Sequence, residues 1–464
     1  VPSLASLAAA SLLVAAPAAP GRGAPRVLVL VTIDTLRADH LGCYGYERPT
    51  SPFLDTLAGQ GTLFENAFSS APQTSPAHAS LFTGLHPSQH GVRSNGIGFG
   101  DVAPARVGLP AAGFRTLAEL AASAGYDTAA VSAVNFLRPM LRGFRVVDLG
   151  GDARRYRRAT ATVDAALGYL SGKAPSDRFL LWLHLYDPHP PQQAPEECQR
   201  AFAFGSGEAE QAFAHAAVEQ RGVAPGFYKT APALARSYAQ YDSEIRFADR
   251  ELGRLFERMQ SAGLNQHAVW IVTADHGEGL GNHGYAGHGK HLYNEHLRVP
   301  LILWDGRRPV RRRVSALARH VDLLPTLAEM LGAPTGVQAF TLQGRSLMPL
   351  LAMPDEPLPH ALAFAQRRPK GPKLRDYEPG EVFSVQDLDW KYIVHTEGKD
   401  EFYDLRSDPL ELRNLAGTAS ELAERLARLA RESFAQAERE GKQAAPRPVD
   451  PVLDDELRAL GYVQ

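Results

Sequence analysis

The chain has 464 residues, 49 Lys and Arg against 51 Asp and Glu, and a formal net charge of −2, so no overall basic field points to nucleic acid. A chain this long buries a large core and predicts one big domain with a smaller appendage. Its two cysteines, Cys43 and Cys198, exclude a thiolate metal cluster and a disulfide framework; one bridge stays open, with two separate thiols the expectation.

Residues 1–24 read as a signal peptide or N-terminal anchor. Leu4 to Ala19 is an uncharged run rich in Ala and Leu that ends in small residues, as the core and cleavage site of a secretory signal do. The run is short for a membrane span, which takes about 20 residues. Export to the periplasm or beyond is the expectation, with a retained anchor as the second reading and no further transmembrane segment.

Val27 to Ile33 is a continuous apolar, β-branched run, the pattern of a strand buried on both faces of a parallel sheet. It ends in Asp34, a carboxylate where open α/β sheets place their ligands, although a turn cap would look the same. A helix over Ser51–Gly59 and a strand over Thr62–Phe68 follow. In Thr74-Ser75-Pro76-Ala77-His78 a hydroxyl residue precedes a proline and an apolar run, which predicts a helix start with Thr74 at the cap. Such a start aims the Thr74 hydroxyl and free backbone N–H groups at one point that favours an anion. Residues 85–96 read as a polar, Gly-punctuated loop.

Helix over Thr116–Gly125, strand over Tyr126–Ser132, helix over Arg154–Ser171 and strand over Arg178–Leu185 continue the alternation of a doubly wound α/β sandwich. The last strand carries His184 and runs into Asp187-Pro188-His189-Pro190-Pro191, a stiff loop with polar groups gathered at its start. Residues 192–230 show weak periodicity and read as an inserted helical or lid segment. Leu234–Ala262 predicts a long helix whose Asp242, Glu244 and Asp249 are expected on its solvated face. A strand over His267–Thr273 leads into Asp275-His276-Gly277-Glu278, then a Gly-rich loop with His283, His288, Lys290 and His291. That histidine density favours metal or anion chemistry over packing. Residues 380–405 and the helix Ala419–Arg439 predict a small antiparallel sheet with its own helix, walling one side of the cleft.

Asp34-Thr35-Leu36-Arg37, Thr74-x-Pro76-x-His78 with Leu81-Phe82-Thr83-Gly84, Asp187-Pro188-His189, Asp275-His276-Gly277, Arg298-Val299-Pro300 and Phe402-Tyr403-Asp404-Leu405 occur in the order seen in one known family. On these motifs nearly the whole chain resembles the sulfatase family of the alkaline-phosphatase-like superfamily. The resemblance implies a three-layer α/β sandwich with a central, mostly parallel sheet. A catalytic domain over 25–375 would be followed by a small C-terminal α+β subdomain over 376–464.

Thr74 stands where sulfatases carry the Cys or Ser that becomes formylglycine, and threonine cannot form that aldehyde hydrate. His78 replaces the motif's Arg, and Ser132 to Asn135 lacks the sulfate-gripping Lys-x-His. The site is similar instead to the Thr-nucleophile branch. Nucleotide pyrophosphatase/phosphodiesterases place an Asn 21 residues past the Thr, here Asn95, and phosphoethanolamine transferases place a His thirteen past the Asp, here His288. The resemblance therefore implies a Thr74 nucleophile with one divalent cation at Asp34, Thr74, Asp275 and His276, Zn²⁺ or Mn²⁺ before Ca²⁺ or Mg²⁺. A second metal stays open.

Asn95, His189 and His288 would orient the phosphoryl group or protonate the leaving oxygen, and His184, His283 and Lys290 are weaker substrate-binding candidates. The expected function is an exported hydrolase of phosphodiester or phosphonate esters, acting through a covalent phosphothreonine on an anionic ester substrate. A sulfuric ester hydrolase, a phosphoryl-headgroup transferase and a catalytically silent envelope binding protein are the rivals.

Overall fold

The computed structural model describes residues 23–95, 115–150, 156–333, 343–353, 362–367, 380–418 and 420–441. Most of the expected leader therefore lies outside the described residues. Among those described, no helix is long and apolar enough to cross a membrane.

The strands in chain order are β1 Val27–Ile33, β2 Thr62–Phe68, β3 Asp127–Ser132, β4 Val146–Leu149, β5 Phe179–Leu185 and β6 Ala268–Ala274. A two-residue ribbon follows, β7 Gly279–Leu280 with β8 Ala286–Gly287, and then β9 Arg298–Asp305 and β10 Arg312–Arg319. Eight of them form one sheet in the order β10-β2-β9-β6-β1-β5-β3-β4. Within it β9 runs antiparallel to β2 and β6, and the other pairings are parallel. β1, β5 and β6 are buried along their whole length because helices cover both faces, so their apolar runs show no alternation. Each fully buried Val, Leu or Ile there contributes about 1.5–3 kcal/mol.

Ile33 pairs with both Leu185 and Ala274, so the residues that follow emerge side by side at one edge. Asp34 leaves β1 and Asp275 leaves β6 at this edge. The two carboxylates are neighbours because of register.

The long helix Ala231–Ser261 departs from the sequence expectation. Asp242, Glu244 and Asp249 are buried, each with partners distant in sequence. Asp242 accepts from Tyr46 Oη and pairs with His40 and Arg48. Asp249 accepts from the backbone N–H groups of Phe53 and Leu54 at 3.0 and 2.8 Å, capping the Pro52–Gly59 helix from outside. The polar stripe of this helix thus faces other polar protein, not water.

Residues 192–230 contain the helices Glu196–Phe202 and Gly207–Arg221, and the second packs on the long helix through Phe213 and Tyr238. Pro87–His90 is a short helix inside the stretch expected to be loop, started by its proline. Cys43 and Cys198 are both free thiols.

The small sheet is antiparallel, β11 Ala363–Arg367, β12 Val382–Gln386, β13 Trp390–His395 and β14 Glu401–Asp404, in that order. β11 precedes the expected domain boundary, so the small sheet starts earlier in the chain. One face packs Ala365, Val382, Ile393 and Tyr403 against Phe68, Leu297 and Leu317 of the large domain. The opposite face, including Phe383, Val385 and Phe402, packs on Leu426, Ala427 and Ala430 of the helix Glu421–Gly441. The period of two sends alternate residues to two different cores.

Candidate active site

The turn after β1 is held open on purpose. Thr35 has φ 55°, a left-handed conformation that costs a β-branched residue about 1–3 kcal/mol. Tyr241 of the long helix offsets this by donating to Thr35 O at 2.6 Å and accepting from Arg37 N at 3.0 Å. Asp275 Oδ1 accepts from Thr35 N at 3.1 Å and from His276 N at 2.8 Å. Asp275 Oδ2 and both oxygens of Asp34 are buried with no hydrogen-bond partner.

One ligand atom each of Asp34, Asp275 and His276 lies within 4.8 Å of the others. Bare buried carboxylate oxygens are costly unless a counter-charge is present. Two carboxylates and an imidazole are a donor set that fits a divalent cation. Burial, then the neighbouring Asp275, pushes the Asp34 carboxyl well above its ordinary range. Burial acts on Asp275 too, but His276, His78 and His184 hold it down at about 2. Burial opposes the His276 cation, yet Asp275 and Asp34 raise it above its ordinary value.

Thr74 is the first residue of the helix Thr74–Thr83, not its cap. Gln73 occupies the cap position, and its own side chain makes no cap bond. Asn95 takes that duty instead, its Oδ1 accepting from Ser75 N at 2.7 Å. Its Nδ2 donates to Thr74 Oγ1 at 3.2 Å. The Thr74 hydroxyl is fully buried and 3.4 Å from His276 Nε2. Relieved of capping, it faces the candidate metal residues.

Behind it lies a chain of bonds whose protons can be assigned from their partners. His78 Nδ1 lies 2.8 Å from Thr74 O, which only accepts, so Nδ1 carries the proton. Burial holds His78 at about 3 and His184 at about 4, so both rings are neutral. His78 Nε2 therefore accepts from the Thr32 hydroxyl at 3.0 Å. That hydroxyl also accepts from Trp182 Nε1 at 3.1 Å, and its remaining lone pair takes the Nδ1–H of His184 at 3.0 Å. His184 Nε2 is then left bare, 3.5 Å from Asp34 Oδ2. A lone pair facing a carboxylate is an arrangement that a cation at Asp34 relieves.

In front of Thr74 three imidazoles stand in a row. The rings of His276 and His288 are 4.6 Å apart and those of His288 and His189 4.9 Å. His276 Nδ1 donates to Gly277 O at 2.9 Å, His189 Nδ1 to Pro190 O at 2.5 Å, and His288 Nδ1 lies 3.2 Å from Glu278 Oε2. Burial, then His288, lowers His189 to about 3. Gly289 has φ 83°, and a Cβ there would press on the side chain of Gln73 at 3.1 Å. Its lack of a side chain lets the His288 loop pass over the start of the Thr74 helix.

The loop carrying His189 is tied from beneath. Arg158 reaches Asp187 Oδ1 at 2.8 Å and Glu244 Oε2 at 3.0 Å, while Glu244 also accepts from Gln193 N. Burial raises Asp187 to about 6 and Glu244 to about 8, with Arg158 opposing both.

The structure brings Asp34, Thr74, Asn95, His189, Asp275, His276 and His288 together and sets His184 behind Asp34. His283 goes elsewhere. Its Nδ1 pairs with Glu295 Oε1 at 2.7 Å, its Nε2 meets Glu411 O at 3.0 Å, and its ring stacks on Tyr293 at 3.6 Å. Lys290 Nζ lies 5.2 Å from the centroid of the Tyr285 ring. Sequence reasoning missed Thr32, Arg158, Tyr241 and Glu244; the one available signal was that the last two lie a helical turn apart on a single helix.

The Sulfatase family model matches residues 26–333, about two-thirds of the chain, and the model described as N-sulphoglucosamine sulphohydrolase, C-terminal, matches residues 281–436. The sulfatase YidJ of Escherichia coli K12 is 24% identical over 439 residues, covering 84% of this chain and 83% of that protein. An arylsulfatase of Clostridium perfringens is 24% identical over 473 residues, with 84% and 89% covered. A crystal structure of the phosphonate monoester hydrolase of Agrobacterium radiobacter superposes with a TM-score of 0.68, covering 92% of this chain and 100% of that one. At 22% identity, that likeness shows the fold alone.

Proposed function

This chain belongs to the sulfatase family and is a hydrolase acting on ester bonds, and from that premise we propose that Thr74 is its nucleophile and a phosphodiester or phosphonate ester its substrate. The observation that carries the proposal is the Thr74 hydroxyl itself, buried, free of capping duty and oriented by Asn95 toward Asp34, Asp275 and His276. Those three residues would hold a divalent cation, with Zn²⁺ or Mn²⁺ suiting the mixed oxygen and nitrogen set, and a cation there supplies a lowered hydroxyl pKa and polarises the ester oxygen.

The chain's own residues supply the rest. Thr74 Oγ1 gives its proton to solvent water and bonds to phosphorus as the bond from phosphorus to the leaving oxygen breaks. His288 stands next to His276, paired with Glu278, and is suited to give that oxygen a proton, while His189, neutral with its one N–H on Pro190 O, flanks His288 as a positioning residue. Water then attacks phosphorus, breaks its bond to Thr74 and restores the hydroxyl. Asn95 Nδ2 and the Thr74 backbone N–H support charge on the equatorial oxygens, the next N–H of the helix, on Ser75, being taken by Asn95 Oδ1. Thr32, His78 and His184 act through Thr74 and Asp34 as positioning residues.

The relatives' names favour a second reading, hydrolysis of a sulfuric ester. Parallel assays of an aryl phosphodiester, an aryl phosphonate, an aryl phosphomonoester and an aryl sulfate, each with Zn²⁺, Mn²⁺, Ca²⁺ and Mg²⁺, separate the two. Diester or phosphonate turnover well above sulfate turnover is expected, and the reverse order ends the phosphoryl reading. Export is proposed on the Leu4–Ala19 run alone, and N-terminal sequencing of protein recovered from the periplasm and the medium tests it.

A further inference from the structure

The ribbon of β7 and β8 carries Glu278 directly before its first strand and His288 directly after its second. Its register, Gly279 with Gly287 and Leu280 with Ala286, therefore sets the pairing of His288 Nδ1 with Glu278 Oε2 at 3.2 Å. A lone two-stranded hairpin is marginally stable at best in water, so a ribbon this short needs support from outside. Its own turn supplies part of that support. Tyr285 N donates to Asn282 O and Tyr285 Oη to His288 O, both at 3.0 Å.

The rest comes through Asn282, which is 3% exposed. Its Oδ1 accepts from Leu280 N at 3.2 Å and from Arg37 Nη1 at 2.9 Å. Arg37 belongs to the segment that follows Asp34, and the same nitrogen donates to Glu278 O at 3.0 Å. Asn282 Nδ2 donates to Arg221 O, one of the carbonyls that the end of the Gly207–Arg221 helix leaves without an intrahelical partner. That helix lies in the segment 192–230, and the chain beyond it runs along the ribbon. Val223 bridges Asn282 as an antiparallel partner, and Ala224 N donates to Gly281 O at 2.9 Å. Gly281 has φ 93°, and a Cβ there would come within 2.8 Å of the Phe227 ring and 2.9 Å of the Tyr228 ring. The segment expected to be a lid is thus bonded into the ribbon by backbone, side chain and close packing.

We propose that residues 221–228 clamp the His288 ribbon, and that Asn282 is the positioning residue through which the insertion and the segment after Asp34 together set His288. The inference rests on the reading of His288 as proton donor to the leaving oxygen. A misplaced proton donor costs most where the leaving oxygen needs the proton, so a phenyl ester suffers more than a 4-nitrophenyl ester. A merely structural role would slow both alike.

Asn282→Asp keeps an acceptor for Arg37 and Leu280 N but sets a second oxygen against Arg221 O, so it cuts the tie to the insertion alone. Two measurements on the whole chain read its effect. One is kcat/KM on phenyl and 4-nitrophenyl phenylphosphonate, with phenyl and 4-nitrophenyl sulfate run alongside. The other is hydrogen exchange at Gly284, Tyr285 and the β8 amides. The phenyl ester is expected to lose about tenfold more than its 4-nitrophenyl partner, and the amides to exchange about tenfold faster. Phe227→Ala, which leaves Asn282 in place and loosens only the insertion, should move both in the same direction and keeps the test decisive should Asn282→Asp fail to fold. Equal losses on the two esters overturn the positioning role. Unchanged exchange in both variants overturns the clamp whether or not any ester is turned over, whereas a wild type that hydrolyses none of the four esters ends the reading of Thr74 and leaves exchange to decide the clamp.

Discussion

Thr74 gains its role from what it does not do. A helix-starting threonine ordinarily spends its hydroxyl on a backbone N–H, and here Asn95 takes that bond. Thr74→Ala therefore loses no cap, and its stability should fall by about 1 kcal/mol or less. Its activity should fall by roughly 10³-fold or more, because the two-step route needs a nucleophile. Thr74→Ser should keep part of the rate, the hydroxyl surviving with more rotamer freedom. Kinetics on the best ester, with mass spectrometry of an acid-quenched reaction for a phosphoryl adduct on the Thr74 peptide, checks all of this; full activity in Thr74→Ala would end the reading. Asn95→Ala is expected to behave differently, since it strips both Thr74 Oγ1 and Ser75 N of a partner. Activity should drop about 10²–10³-fold and stability by about 1 kcal/mol in the same variant. An active Asn95→Ala with an unchanged melting temperature would contradict both assignments.

At the scale of elements, His283 ties the loop after Gly281 to the helix Asn294–Leu297 through an ion pair with Glu295 and to the C-terminal subdomain through a hydrogen bond at the Glu411 carbonyl. Glu295, then Glu411, raises His283 to about 9 against burial, and His283 lowers Glu295 to about 2, also against burial. A raised histidine pKa gives stability that is complete below the ordinary 6.5 and disappears as pH rises through about 9. A depressed glutamate pKa gives stability complete above the ordinary 4.5 and lost as pH falls through about 2. His283→Gln should therefore lower the melting temperature most between about pH 4.5 and 6.5, and the gap from wild type should close above pH 9. Melting curves across that range decide it, and a gap that does not change with pH would mean stacking on Tyr293 alone does the joining. Glu244 has the opposite sign for a carboxylate. Burial raises it to about 8, so the folded state favours its protonated form and stability falls as pH rises from the ordinary 4.5 toward 8. Glu244→Gln should flatten that slope, measured by chemical denaturation at pH 5, 7 and 9.

For the whole molecule, the like charges at the carboxyl ends of β1 and β6 make folding sensitive to a bound cation. Metal-free protein carries Asp34 and Asp275 side by side with three bare oxygens. Adding Zn²⁺ or Mn²⁺ at about 100 times its Kd should stabilise the fold by about 2.7 kcal/mol, seen as a rise of a few degrees in melting temperature. Asp34→Asn removes one of the facing charges, so it should raise the metal-free melting temperature while shrinking the metal-induced rise. Calorimetry on chelated and reloaded protein reads both, independently of turnover. If no cation shifts the transition, the silent binding protein becomes the better description of Asp34, Asp275 and His276.

The sequence alone determined five of the eight strands of the large sheet, because apolar runs such as Val27–Ile33 and Ala268–Ala274 can only be satisfied between two covering layers, whereas β4, β9 and β10 were not read from it. It also determined that Asp34 and Asp275-His276 end such strands, and hence that they meet where the register of β1 and β6 brings them. What it could not contain was the direction taken by groups whose partners are remote in the chain. Helical periodicity marked Asp242, Glu244 and Asp249 as polar, but only tertiary packing put His40, Arg158 and the Phe53–Leu54 N–H groups opposite them. His283 and His288 share one Gly-rich loop of indistinguishable composition. A left-handed residue at His283 and glycines on either side turn one imidazole toward Glu295 and Glu411 and the other toward His276. The capping of the Thr74 helix was likewise decided by Asn95 from another loop. Local patterns fix which elements form because they report burial, whereas the partner of each buried polar group is chosen by long-range hydrogen bonds that exist only once the elements have packed.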